Sequence, residues 1–144
     1  MKFFNLQQNN KGFTLLEILV VISIIGILIA LGASAYSVAQ QKSRNARRQG
    51  DLKQVQNAFE QYYATNNSSY AACATMDNIF PSGTLPSDPK GGTHPNYNCT
   101  VSGTIGYCVC AQLEGTGGGN ATSMGAGGNC SFGSGNYYCV RNLQ

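Results

Sequence analysis

The strongest constraint on this chain is an unbroken apolar run from Phe13 to Ala35 with one charge, Glu17, near its start. The run holds only four polar side chains, Thr14, Glu17, Ser23 and Ser34, and no proline. As a helix it is about 34 Å long, enough to cross a hydrocarbon layer of about 30 Å. Its glycines, Gly26 and Gly32, are tolerated in membrane helices. The segment therefore predicts one spanning helix. A charge inside it is disfavoured by about 2.5–3.5 kcal/mol on insertion scales. A plain anchor gains nothing from Glu17, so the carboxylate needs a partner. No Lys, Arg or His stands three or four residues away. The nearby cation would be an amino group made by cutting the chain just before Phe13, about 6 Å up the same helix. Within one helix that geometry is poor; between two staggered copies it is natural.

The helix does not stop at Ala35. No proline precedes Pro81, so one helix is expected to run to about Ala64, about 78 Å in all. Gln40 to Asp51 is polar, and five of the nine positive charges sit at Lys42, Arg44, Arg47, Arg48 and Lys53. Leu52, Val55, Phe59 and Tyr62 then recur at helical spacing and form one apolar stripe, which predicts core packing. Gly50 is the weakest interior point, and Asn66-Asn67-Ser68-Ser69 reads as the end. Residues 65–144 are irregular and β-like. Pro81, Pro86, Pro89 and Pro95 cluster in one loop. Strands are expected at Gly106–Leu113 and Tyr137–Arg141, which are rich in aromatic and β-branched residues. Gly115 to Gly135 holds nine glycines and is expected to be a surface loop, tied down by Cys130.

Charge and cysteine placement narrow the function. Charged residues make up 10% of the chain, against about 25% in a typical globular protein. Nine Lys and Arg face six Asp and Glu. With Lys2 and Lys11 ahead of the apolar run, seven against six remain, too little to bind a nucleic-acid backbone by bulk charge. The single histidine, His94, provides no multi-His metal site. No paired carboxylates, phosphate loop or Cys-x-x-Cys motif is present, so no enzymatic activity and no cofactor are expected. Cys73, Cys99, Cys108, Cys110, Cys130 and Cys139 all follow residue 70. An even count confined to that half predicts disulfides formed outside the cytoplasm. Zinc would want two close Cys pairs; only Cys108-x-Cys110 exists, so no metal is expected. Asp77, Asp88 and Glu114 are scattered and form no calcium cluster.

Six cysteines allow fifteen pairings. Cys108 and Cys110 share a face if both are in a regular strand, so they are expected to take different partners. Cys139, in the other strand, is reachable from either. The remaining member takes Cys130, and Cys73 with Cys99 closes the Pro-rich loop onto the helix end. Asn66, Asn67, Asn98, Asn120 and Asn129 each open an Asn-x-Ser/Thr sequon.

Lys11-Gly12-Phe13-Thr14-Leu15-Leu16-Glu17, followed by the apolar helix, closely resembles the prepilin signal of type IV pilins and type II secretion pseudopilins. The resemblance spans residues 10–36, including Gly26 and Tyr36, and fades beyond. It implies an α+β pilin-like fold, with one long N-terminal helix packed on a small antiparallel sheet and long disulfide-tied loops. It implies a cleaved leader at 1–12, a helix at 13–64 whose 13–35 part is membrane anchor and filament core, and an extracellular β domain at 65–144. A prepilin peptidase would cut between Gly12 and Phe13 and N-methylate Phe13. The subunit would wait in the inner membrane until assembly machinery packs copies of it into a helical filament at the cell surface. Glu17 would neutralise a neighbour's Phe13 amine, and a buried charge with one partner specifies geometry more than it adds stability.

Ser34 stands where many pilins carry a proline two residues before the position of Tyr36. The basic residues after the span would by charge count put the C-terminal part in the cytoplasm; the cysteines and the leader resemblance put it outside. Leu85-Pro86-Ser87-Asp88-Pro89-Lys90-Gly91 looks like a loop of major pseudopilins. The function implied is a structural subunit of a type IV pilus or pilus-like filament. One alternative is the major pseudopilin of a type II secretion system. Another is a secreted disulfide-bonded domain whose signal peptide is cut after Ala35, at Ala33-Ser34-Ala35.

Overall fold

A computed structural model describes residues 12–92 and 94–144. Most of the leader, with Lys2 and Lys11, lies outside the described residues. The chain forms two compact units, the first ending at Val38 and the second being Ala39–Gln144. Helix α1 covers Leu15–Thr65, which no proline interrupts. It is long and apolar enough to cross a membrane. Every described residue from Gly12 to Gln40 is exposed. Its end is marked by Asn67 and Ser68 in left-handed conformation (φ 52° and 54°). The Asn66 side-chain amide donates to the Tyr62 carbonyl at 2.9 Å, satisfying one of the helix's last free carbonyls.

In the second unit a short helix, α2 (Cys73–Asp77), precedes five strands. These are β1 (Asn98–Ser102), β2 (Gly106–Gln112), β3 (Gly119–Ala126), β4 (Asn129–Gly135) and β5 (Tyr137–Arg141). They make one sheet in the order β1-β2-β5-β3-β4, and every pair is antiparallel. β2 and β5 correspond to the two strands expected from composition. The α+β architecture with one long helix, an antiparallel sheet and disulfide-tied loops is the one the resemblance implied.

The period-two alternation of β2 sorts its side chains into two cores. Tyr107, Val109 and Ala111 pack with Leu52, Val55 and Phe59 of α1 and Val140 of β5, all essentially inaccessible. Phe59 and Tyr107 stack with ring centroids 4.1 Å apart and planes at 15°. Tyr62, the last member of the stripe, is half-buried at the edge of this core. On the other face Cys108 and Cys110 meet Cys139 and Ala121 in a second core, flanked by Met124 and Cys130.

Two elements differ from expectation. The Gly-rich stretch is no loop: Gly119–Ala126 and Asn129–Gly135 pair as a hairpin with irregular register. Its two-residue turn is Gly127-Gly128, both at positive φ (55° and 79°). That is the geometry of tight hairpin turns whose twist suits the strands. Gly125 is required for another reason. A Cβ there would collide with the Cys108 sulfur and the Asn129 carbonyl, so the hairpin sits on the second core only because no side chain intervenes. Burial also reaches one residue of the polar Gln40–Asp51 stretch and one polar residue within the stripe, which composition does not indicate. Arg48, one turn before Leu52, is fully buried, and Gln56 nearly so.

The side chain of Asn120 completes the sheet between β3 and β5. It accepts from the Cys139 N–H (2.7 Å) and donates to the Cys139 carbonyl (3.0 Å). β3 and β5 are otherwise in register at Ala121 and Tyr137, so this amide stands in for ladder bonds.

Candidate assembly site

Gly12, Phe13 and Thr14 precede α1 without regular structure, and Phe13 is 85% exposed. A Cβ on Gly12 would meet nothing within 4 Å. Thr14 is the N-cap of α1 and Glu17 its third helical residue. The Glu17 Oε2 accepts from both the Thr14 N–H and its hydroxyl, each at 2.8 Å. The Glu17 N–H in turn donates to the Thr14 Oγ1 at 3.3 Å. This reciprocal pair is a capping box. It places a carboxylate at the positive end of the helix dipole, where anions are favoured. Glu17 thus has a local, uncharged partner in Thr14, which the Thr-x-x-Glu spacing announces. Among the described residues Glu17 makes no salt bridge.

In the second unit an ion network fixes α1 to two loops. Arg48 donates to Asp88 through Nε (2.6 Å) and Nη2 (2.9 Å), with both side chains wholly buried. Its remaining Nη1 reaches Glu114 (2.9 Å) and Asn45 (2.7 Å). Arg44 forks onto Glu114 with two bonds of 2.7 Å, and Lys90 adds a contact at 3.3 Å. Asn45 then closes the joint, exchanging bonds of 2.8 and 2.9 Å with the Glu114 backbone. The Arg44 bond, aided by Arg48 and Lys90 and opposed by burial, holds the Glu114 carboxyl well below its usual range. Burial pushes the Asp88 carboxyl up, but Arg48 and the Lys90 N–H outweigh it and leave it lowered. His94 Nδ1 lies 3.1 Å from Asp88 Oδ2, off the line of a hydrogen bond.

Asp88 and Glu114, scattered in sequence, therefore converge, on arginines rather than on a cation site. Asp77 is used separately, accepting the Leu85 N–H at 2.8 Å. No spacing rule links Arg48 to residues 40 and 66 positions away. The legible hint was Asp88 inside the Leu85–Gly91 loop.

Three disulfides are formed: Cys73–Cys99, Cys108–Cys130 and Cys110–Cys139. Of the two arrangements left open for the sheet, Cys110 takes Cys139, its direct partner in the β2–β5 register. Cys108 takes Cys130 and ties the β3–β4 hairpin to β2. Among the described residues the one gathering of metal-ligating side chains is Cys108, Cys110, Cys130 and Cys139. They gather because the Cys108–Cys130 and Cys110–Cys139 disulfides lie side by side, which the expected pairing of Cys108 and Cys110 with Cys130 and Cys139 implies.

Residues 7–33 match the family model described as the prokaryotic N-terminal methylation motif. The chain is 30% identical over 104 residues to the type II secretion system core protein G of Klebsiella michiganensis, covering 61% of this chain and 73% of that protein. It is 32% identical over 79 residues to the core protein G of Escherichia coli, covering 55% and 54%. With the type IV major alpha-pilin of Moraxella bovis it shares 50% identity over 42 residues, 29% of this chain and 26% of that one. No solved structure matches. The methylation motif at the capped helix start, the long helix on an antiparallel sheet and the extended likeness to core protein G place the chain in the type IV pilin and type II secretion pseudopilin family.

Proposed function

We propose that this chain is a structural subunit that polymerises into an extracellular type IV pilus or pilus-like filament, with no catalytic role of its own. The observation that carries this is the first part of α1. Every large apolar side chain from Phe13 to Val38 is exposed, and the one charge among them is Glu17. Such a surface is stable only in lipid or against other copies of itself. The precursor sits in the inner membrane by residues 13–35. A prepilin peptidase removes 1–12, cutting between Gly12 and Phe13, and methylates the Phe13 amine. The exposed, unstructured Gly12-Phe13 stretch suits access by a peptidase. In the filament, Glu17 meets the Phe13 amine of a neighbouring subunit and sets the axial register. The β domain, residues 65–144, faces outward, and its three disulfides suit an oxidising compartment and a filament under load.

A second reading, the major pseudopilin of a type II secretion system, is supported by the likeness to core protein G over 104 residues, which the fimbrial protein EcpC of Eikenella corrodens equals with 105. Deletion separates the two. Loss of sheared surface fibres with normal export supports the pilus. Loss of protein export with no fibre change supports the pseudopilus. Normal fibres and normal export in the deletion strain contradict both.

A further inference from the structure

Five asparagines open an Asn-x-Ser/Thr sequon, and the fold treats them differently. The Asn120 side chain bonds both the N–H and the carbonyl of Cys139, so its amide is occupied inside the sheet. The Asn98 amide donates to the Gly125 carbonyl at 3.0 Å, and Cys99 beside it is bonded to Cys73. Asn66 donates to the Tyr62 carbonyl and to the Thr65 hydroxyl. Asn129 is exposed, but it opens β4 and its amide turns back to the Gly127 carbonyl at 3.4 Å. Its neighbour Cys130 is held by Cys108. A transferase has to draw an acceptor asparagine and the next two residues into its own cleft. For these four, that means breaking a strand, a helix cap or a disulfide-held segment.

Asn67 differs on each count. Asn67 and Ser68 are exposed and Ser69 is half-buried, in a turn that belongs to no strand and carries no cysteine. Asn67 and Ser68 both take left-handed backbone (φ 52° and 54°), a conformation that asparagine tolerates and that turns the chain out of α1. Among the described residues the Asn67 side chain makes no hydrogen bond, in contrast to that of Asn66 next to it. We propose that Asn67 is the acceptor of an N-linked oligosaccharide. The proposal rests on the reading that places residues 65–144 outside the cytoplasm. The donor class is an oligosaccharide joined through C1 of its first sugar to a lipid diphosphate. A bond forms from the Asn67 Nδ2 to C1 while the bond from C1 to the diphosphate oxygen breaks. The lipid diphosphate leaves, the displaced amide proton passes to solvent, and no oxidant or reductant is needed. Ser69 supplies the hydroxyl residue that completes the sequon. Tyr70 is the next residue and is buried, so a bulky, solvated group on Asn67 stands at the rim of the core without entering it.

The test is peptide-level mass spectrometry of the full chain purified from the cells that make it, read beside thiol titration of the same chain, denatured and unreduced. The expected result is added sugar mass on Asn67 and on none of the other four asparagines. Ser69→Ala keeps Asn67 but destroys its sequon, and should lose the sugar completely. Ser68→Ala destroys the sequon of Asn66 while leaving that of Asn67, and should retain it. With all six cysteines bonded, a bare Asn67 peptide overturns the proposal. So does sugar on any of the other four asparagines, or sugar that survives Ser69→Ala. A bare chain with reactive thiols overturns the placement outside the cytoplasm, and the proposal with it.

Discussion

Arg48 and Asp88, forty residues apart in sequence, form a wholly buried ion pair joined by two hydrogen bonds of 2.6 and 2.9 Å. The pair fastens the middle of α1 to the Pro-rich loop. Burying two charges costs several kcal/mol, which mutual attraction repays only in good geometry. Its contribution is therefore to registry: it specifies which turn of α1 the loop meets.

Removing one partner leaves the other charge buried and alone. Arg48→Met and Asp88→Asn should each destabilise the β domain by about 3–5 kcal/mol. Arg48→Met combined with Asp88→Leu should cost less than either alone. Thermal melts of the detergent-solubilised chain, followed by tyrosine circular dichroism, measure all three.

Acid should loosen the same joint. Asp88 and Glu114 are held below their ordinary carboxylate values by the arginines. Carboxyls lowered on folding contribute stability that is fully present above the unfolded value, about 4, and lost as pH falls through the folded one. Melting temperature should therefore be insensitive to these groups at neutral pH and fall below about pH 4. In Glu114→Gln the acid-induced fall should be smaller, since one of the two titrating groups is gone.

Much of this architecture was legible because it rests on short-range patterns. The stripe Leu52-Val55-Phe59, the β-rich Gly106–Leu113 segment and the absence of proline before Pro81 each speak for the element they occupy. The Gly-rich hairpin was not legible. Composition reads glycine as a breaker, whereas Gly125 is required by a sulfur packed against it and Gly127-Gly128 by a turn. The burial of Arg48 was equally hidden, because its partners come from distant loops. At the helix start the spacing Thr14-x-x-Glu17 is readable as a capping box, but a hydroxyl and an N–H carry no charge and stand outside any pairing by charge.

The capping box gives Glu17 a local role beside the proposed one in register, and the two have different signatures. Thr14→Ala removes the cap alone and should cost about 1 kcal/mol of helix stability while sparing filament yield. Glu17→Ala should leave the chain membrane-inserted but strongly reduce filaments, and Glu17→Asp, one methylene short, should be intermediate. Quantification of sheared fibres against membrane-bound subunit checks this; a wild-type yield in Glu17→Ala would contradict the register role.

Cleavage should depend on the residue before Phe13. Replacing Gly12 with a bulky residue is expected to leave the longer precursor on a gel, and full processing of that variant would count against the proposed cut.

The disulfides predict no reactive thiol in denatured, unreduced protein. Loss of the Cys73–Cys99 bridge should cost about 2–4 kcal/mol, chiefly by freeing the unfolded chain. Thiol titration and melting of the Cys73→Ser/Cys99→Ser variant measure both.

The claim at the centre, that the exposed apolar part of α1 is the filament's core, is tested most directly by electron microscopy of fibres sheared from cells, with mass spectrometry of the same fraction. Filaments built of this chain and beginning at methylated Phe13 are the expected result. A soluble, unassembled chain beginning at Tyr36, with no fibre containing it, would contradict that role for α1.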